Sequence, residues 1–197
     1  LAGRSVSAAG DVNGDGLGDV ILGVPYSDPA SLVAPFNFRG RSYVVFGKST
    51  GSVVDLANVA AGTGGFAING QQAGEYSGFS VSSAGDINGD GRSDVVVGAD
   101  LSDPPGRDNA GRTYIVFGKS TTTAVALSAL ISGTSALGFS VIGANIGEQA
   151  GRSVAFGGDI NGNGIGDLVI GAPSYDAPGP ISNVGRAYAL FSPLTPP

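Results

Sequence analysis

The apolar residues of this chain fall into short runs at regular distances. Residues 20–24 read Val-Ile-Leu-Gly-Val, 95–99 read Val-Val-Val-Gly-Ala, and 168–172 read Leu-Val-Ile-Gly-Ala. Each run is too short for a helix, rich in β-branched side chains and bounded by turn residues, so it predicts a buried strand. Weaker runs flank each one. In the middle set they predict strands at 79–84, 94–98, 112–117 and 139–142, and further strands fall at 41–46, 66–69 and 186–190. Gly-Arg-X-Tyr opens every third strand, at Gly40-Arg41-Ser-Tyr43, Gly111-Arg112-Thr-Tyr114 and Gly185-Arg186-Ala-Tyr188. An aromatic motif recurring once per unit is a fold signature, with Tyr expected to pack between units and Arg to pair with a nearby acid. The pattern therefore predicts three four-stranded repeats, at about 1–70, 71–143 and 144–197, the third lacking its outer strand.

A nine-residue acidic pattern precedes each of the central runs. The copies are Asp11-Val-Asn13-Gly-Asp15-Gly16-Leu17-Gly-Asp19, Asp86-Ile-Asn88-Gly-Asp90-Gly91-Arg92-Ser-Asp94 and Asp159-Ile-Asn161-Gly-Asn163-Gly164-Ile165-Gly-Asp167. The first Asp recurs after 75 residues and then after 73. Oxygen-bearing side chains stand at positions 1, 3, 5 and 9, with Gly at 4 and 6. Hard cations favour such alternating oxygens on a tight loop. An EF-hand would need Glu at position 12 in a helix, where this chain has Leu22, Val97 and Ile170 in predicted strands. Plain Asn-Gly and Asp-Gly hairpin turns remain the alternative. They do not explain why the Asp at position 9 stands in all three copies. The expected Ca²⁺ ligands are the side chains at 1, 3, 5 and 9 and the backbone carbonyls of Leu17, Arg92 and Ile165. Asn163 replaces an Asp, so the third site is expected to be the weakest.

These motifs resemble the FG-GAP repeats that form the β-propeller of integrin α subunits. Gly78-Phe79-Ser-Val-Ser-Ser-Ala-Gly85 precedes the middle loop and Ile170-Gly-Ala-Pro173 follows the last. Leu22-Gly-Val-Pro25 and Val97-Gly-Ala-Asp100 are near variants, and Arg4 and Arg152 stand where Phe79 does. The resemblance covers nearly the whole chain. It implies an all-β fold of propeller blades and calcium in the acidic loops. It also implies a ligand face built from the opposite loops, and a complete ring of seven blades. Three blades leave faces and sheet edges open. So the chain is expected to be either a fragment of a larger propeller, or a subunit that assembles with copies of itself into a ring or filament.

Composition sharpens the picture. The chain has 35 Gly and 11 Pro in 197 residues, as many short strands and tight turns require. Eight of its 16 acids lie in the three loops, and its formal charge is −6, which three bound Ca²⁺ would balance. That clustering argues against nucleic acid as a partner. There is no Cys, so the redox compartment is left open. No apolar run reaches the ~20 residues of a membrane span. The chain begins at Leu1 inside a repeat, so residues are expected before it. Weak extracellular-type calcium loops imply a calcium-rich setting, the cell exterior or periplasm.

Specific function belongs to the long loops. The connections 25–40, 100–111 and 173–185 carry Asp28, Asp103 and Asp176, whose simplest role is to shape the turn. Tyr26, Phe36, Phe38, Tyr76 and Tyr175 lie in the loops that the resemblance places on the ligand face, where they either stack on a sugar or protein partner or bury locally. With no His and no Cys, Ser–His and Cys–His nucleophiles are excluded. Glu75 and Glu148 recur 73 residues apart, as repeat supports would. The favoured function is therefore a non-enzymatic, calcium-stabilised extracellular module for adhesion or recognition of protein or glycan. A structural subunit of a surface layer or filament comes second, and an accessory domain of a secreted enzyme a distant third.

Overall fold

The computed structural model describes residues 2–28, 37–132, 135–178 and 182–192. Its elements run β1 (Ser5–Gly10), β2 (Asp19–Val24), β3 (Arg41–Val45), α1 (Leu56–Ala60), β4 (Gly65–Asn69), β5 (Ser80–Gly85), β6 (Asp94–Ala99) and β7 (Arg112–Val116). They continue with β8 (Val125–Ala126), a 3₁₀ turn (Leu127–Leu130), β9 (Gly138–Ile142), β10 (Ser153–Gly158), β11 (Asp167–Ala172) and β12 (Arg186–Leu190).

These strands form three sheets, ordered β1-β2-β3-β4-β8, β5-β6-β7-β9 and β10-β11-β12. Consecutive strands pair antiparallel, in the same register in each sheet. Val6 faces Leu22, Val81 faces Val97 and Val154 faces Ile170. The nearly all-β blade architecture follows the apolar pattern, and the three sheets do not close a ring. The first sheet carries a fifth strand that the pattern does not foretell. β8 pairs parallel to β4 through Ile68 with Val125 and Asn69 with Ala126. So the segment after β7 returns to the edge of the preceding sheet. The short helix α1 is also unforeseen; Asp55 caps it by accepting from the Ala57 N–H at 2.9 Å.

The core lies between sheets. Ala9, Ile21, Val44, Phe66 and Ile68 of the first sheet meet Val81, Val95, Val97 and Tyr114 of the second. Ala84, Val96, Ile115 and Phe139 of the second sheet meet Leu168 and Val154 of the third. Successive side chains on a strand point to opposite faces, so the middle sheet serves two cores. That is why the central run 95–97 is apolar without alternation and all three of its valines are fully buried.

A register shift precedes every acidic loop, between Ala8 and Gly10, Ser83 and Gly85, and Phe156 and Gly158. The bulge glycine takes a left-handed φ (+75°, +67° and +72°) that only Gly adopts without strain. The bulge re-aims the chain and sets the loop at the strand end.

Candidate metal loops and an aromatic recess

The three acidic loops share one hydrogen-bond pattern. Asp11 accepts from the backbone N–H groups of Gly14, Asp15 and Gly16, at 2.7–3.1 Å. Asn13 accepts from Asp15 N–H and Asp15 from Leu17 N–H, both at 2.8 Å. Asp86, Asn88 and Asp90 repeat the pattern at Asp90, Gly91 and Arg92. Asp159, Asn161 and Asn163 repeat it at residues 162–165. Backbone amides thus hold the side chains at positions 1, 3 and 5 on the loop. These amides also hold the Asp159 carboxyl below its usual range, Gly164 N–H contributing most.

Position 9 does something the sequence reading missed. Asp19, Asp94 and Asp167 are buried, and each accepts backbone N–H bonds from two separate segments. One oxygen takes Val12, Ile87 or Ile160 N–H at the loop start, at 2.7–2.9 Å. The other takes Gly47, Gly118 or Ser192 N–H just beyond the third strand, at 2.7–2.8 Å. The carboxylate thereby staples the loop to the end of the third strand. The recurring Phe-Gly-Lys at 46–48 and 117–119 was the available signal. Burial raises the carboxyls of Asp19 and Asp94, the latter pushed up to about 6, with Asp90 and Asp86 adding repulsion against the amide bonds.

At positions 1, 3, 5 and 9 every side chain offers an oxygen, which suits a hard cation. A carboxylate offers about four lone-pair sites, so Asp11, Asp15 and Asp19 retain acceptor capacity beyond their hydrogen bonds. The residues present therefore fit Ca²⁺ by donor chemistry. Among the described residues no group of three or more Asp, Glu, His or Cys side chains is drawn together as a preformed metal cage. The loops also differ at position 5. Asn13 and Asn88 turn their amides onto Asp15 and Asp90 at 2.9 and 3.2 Å, and Arg92 Nη1 lies 4.0 Å from Asp90. Asn163 instead donates its amide to the Ser192 carbonyl, a bond Asp cannot make.

The opposite strand ends carry the long loops. Asp28, Asp103 and Asp176 close these loops by accepting from Asn37, Asn109 and Asn183 N–H at 2.6–3.0 Å, which is the turn-shaping role. Glu75 and Glu148 are fully buried at the entries to the second and third sheets. Glu75 accepts from Gln71 N–H and from the Tyr114 hydroxyl, and Glu148 from Ala144 N–H and the Tyr188 hydroxyl. The tyrosines of the second and third Gly-Arg-X-Tyr motifs are thus bound to the glutamates, whereas Tyr43 of the first accepts from Arg41 at 3.2 Å. The expected Arg–acid pairing is replaced: Arg41 donates to Asn69, its partner in the strand register, and Arg112 reaches diagonally to Ser140, the partner of Tyr114.

Between the first two sheets, Tyr26, Phe38 and Tyr76 form one cluster. Phe38 and Tyr76 stack at 5.9 Å, and Tyr26 meets Tyr76 edge-on at 5.7 Å. Beside them lies a recess of about 260 Å³, lined by Tyr26, Tyr76, Phe79, Asp100, Leu101 and Arg152. Phe79 is sandwiched by the guanidinium groups of Arg4 and Arg152, at 4.4 and 4.6 Å. Arg152 also bridges to Asp100 at 2.7 Å. Burial raises the Asp100 carboxyl and Arg152 opposes that shift. Phe38 and Tyr76 hold left-handed φ angles of 45° and 54°. Asn109 and Gln149 hold the same geometry at the next junction, at 50° and 58°. The backbone strain is thus a property of the repeat, but only the first junction fills both positions with aromatics. Tyr175 is not part of this cluster; it is nearly buried, with the Arg186 guanidinium 3.6 Å over its ring. Phe36 lies outside the described residues.

Comparison with known proteins adds three matches to one family. The FG-GAP repeat profile matches residues 2–45, 77–116 and 150–190. Integrin alpha pat-2 of Caenorhabditis elegans is 34% identical over 179 residues, which is 86% of this chain and 13% of the relative. The Caenorhabditis briggsae protein of that name is 33% identical over 169 residues, 84% of this chain and 13% of its own length. Integrin alpha-PS2 of Drosophila melanogaster is 32% identical over 172 residues, 86% of this chain and 11% of the relative. The chain therefore spans only about an eighth of the length of the curated relatives it matches.

Proposed function

We propose, from the premise that the chain belongs to the FG-GAP repeat family, that it is a calcium-stabilised extracellular recognition module. The observation that carries this reading is the aromatic cluster at Phe38 and Tyr76. An aromatic residue in left-handed backbone costs on the order of 1 kcal/mol more than Asn, which tolerates that conformation. The next junction, with Asn109 and Gln149, shows that the fold does not require aromatics there. The cluster instead walls a recess whose polar edge is the Arg152–Asp100 pair. Flat apolar walls beside a charged pair suit a sugar ring or a protein side chain, and the volume suits one such group.

The acidic loops sit at the other strand ends. In this reading Asp11, Asn13, Asp15 and Asp19, with the Leu17 carbonyl, hold one Ca²⁺. Asp86, Asn88, Asp90, Asp94 and the Arg92 carbonyl hold a second. Asp159, Asn161, Asn163, Asp167 and the Ile165 carbonyl hold a third and weaker one, because Asn163 adds no charge and its amide is engaged with Ser192. The ion offsets carboxylate repulsion and pins the turns, leaving the opposite face rigid for binding.

The direct test is a binding screen of the wild-type chain and Tyr76→Ala against immobilised extracellular matrix proteins and glycans in 2 mM calcium. Wild type should bind a subset that Tyr76→Ala loses at least tenfold, with matching melting curves. Equal binding by both proteins would remove the recess as the ligand face.

A further inference from the structure

The acidic loops differ in what stands at position 7. Leu17 and Ile165 are apolar, and Arg92 is the only basic residue in any of the three nine-residue patterns. The ligand expected from this position is the backbone carbonyl, which every residue supplies, so ligation does not call for a guanidinium. The first two loops carry six carboxylates between them, at Asp11, Asp15, Asp19, Asp86, Asp90 and Asp94.

Arg92 reaches from the second loop onto the first. Its Cβ packs on Gly118, 2.7 Å from where a Cβ of that glycine would stand. Farther out, its Nε lies 3.3 Å and its Cγ 3.7 Å from the Cβ position of Gly14. The N–H of Gly14 donates to Asp11 at 2.7 Å, so the side chain lies over the turn that holds that carboxylate. Arg92 Nη1 stands 4.0 Å from Asp90 Oδ2 in its own loop, and Nε is shut off from solvent with no hydrogen-bond partner. A cation is thus lodged between two acidic loops, and among the described residues no hydrogen bond ties it to a carboxylate. The backbone holds it there. Ser93 N–H donates to the Asp11 carbonyl at 2.8 Å, and the Ser93 side chain fills the space where a Cβ of Gly10 would stand.

The second and third loops are not joined this way. The Phe156 ring occupies the space beside Gly85 and Gly166, which correspond to Gly10 and Ser93. Nothing lies within 4 Å of the Cβ position of Gly89, the counterpart of Gly14.

We propose that Arg92 is a resident counter-cation shared by the first two acidic loops. It offsets carboxylate repulsion there when no ion is bound, and its charge lowers the affinity of those two loops for a divalent cation. The first effect stands without any metal; the second rests on the calcium reading of the loops. Arg92 and Asp90 are 39% and 36% exposed, so both effects act through solvent and are screened by salt.

The test compares wild type with Arg92→Leu, the residue at position 7 of the first loop, and with Arg92→Lys, which keeps the charge. Melting curves are taken in chelator at about 20 mM and about 500 mM salt, where the screening length falls from roughly 20 Å to under 5 Å. Arg92→Leu should melt below wild type in low salt and close to it in high salt, and Arg92→Lys should match wild type in both. In calcium titration calorimetry at low salt, Arg92→Leu should bind about three- to tenfold tighter at two sites, as removal of one like charge nearby allows. Wild-type melting by Arg92→Leu in low salt would overturn the proposal. So would a loss that salt leaves intact and Lys does not restore, since that is packing, or an unchanged calcium affinity. If no protein takes up calcium, the metal reading of the loops fails, whereas the salt-screened loss in chelator still upholds Arg92 as the counter-cation.

Discussion

At the residue scale, the buried carboxylates explain most of the order at both ends of the sheets. Asp94 binds Ile87 and Gly118 N–H groups, so one side chain joins two segments that are 31 residues apart. Glu75 does the same at the other end, joining Gln71 N–H to Tyr114. Burial is the largest influence on Glu75 and raises its pKa above 4.5, while its hydrogen bonds and Arg112 work in the opposite direction. The Tyr114 hydroxyl is pushed far above its usual range by burial and by Glu75. A carboxyl whose folded pKa is raised binds protons more tightly in the folded state. Stability then falls as pH rises from about 4.5 through the raised value, and above it the whole burial cost of the charge stands. Glu75→Gln removes that titration but keeps an acceptor for Gln71 and a partner for Tyr114. Its melting temperature should therefore gain on wild type between pH 4.5 and neutrality and run parallel below. Parallel curves throughout would show that Glu75 is not raised. Neither glutamate's partner was legible beforehand, because each bonds a tyrosine 39 or 40 residues away on the adjoining sheet.

At the element scale, short strands become stable by serving two interfaces. The β6 run buries Val95 and Val97 toward the first sheet and Val96 toward the third. Gly98 completes this arrangement by admitting the Gly151 carbonyl. Gly98→Ala should destabilise the chain by about 1–3 kcal/mol, the usual cost of overpacking against backbone that has nowhere to move. Gly171→Ala crowds only the tip of the Ser153 side chain, which can turn away, and should cost well under 1 kcal/mol. Denaturant titrations of the two variants measure the difference, and equal losses would mean that the Gly151 carbonyl does not pack against Gly98. Strand positions were legible from β-branched runs and recurring Gly-Arg-X-Tyr. The parallel two-residue strand β8 and the helix α1 were not, since both depend on how the long connections fold back onto the first sheet.

At the scale of the whole molecule, the three acidic loops lie at one end of the sheets and the aromatic recess at the other. Extracellular modules bind calcium at about 10⁻⁴–10⁻³ M. At ~1 mM free ion and ~0.1 mM Kd each loop would add about 1.4 kcal/mol, and three about 4 kcal/mol. For a chain of this size that corresponds to about 8–16 °C in melting temperature. A chelator should lower the transition by that amount, and Asp90→Ala should lower it only when calcium is present. An equal loss for Asp90→Ala in chelator would sink the metal role and leave the loop as a hydrogen-bonded turn.

The amino-acid sequence alone determined the repeat length, the strand pattern and the oxygen-rich loops. All of these are local: a run of valines, or nine residues spaced for a tight turn, carries its own physical reason. The tertiary structure decided what lies between the repeats. It showed that Asp19, Asp94 and Asp167 staple loop to strand, that Glu75 and Glu148 bind tyrosines, and that Phe38 and Tyr76 meet to wall a recess. Those partners are distant along the chain and come together only when sheets stack. No periodicity in one strand specifies which face of the next will cover it.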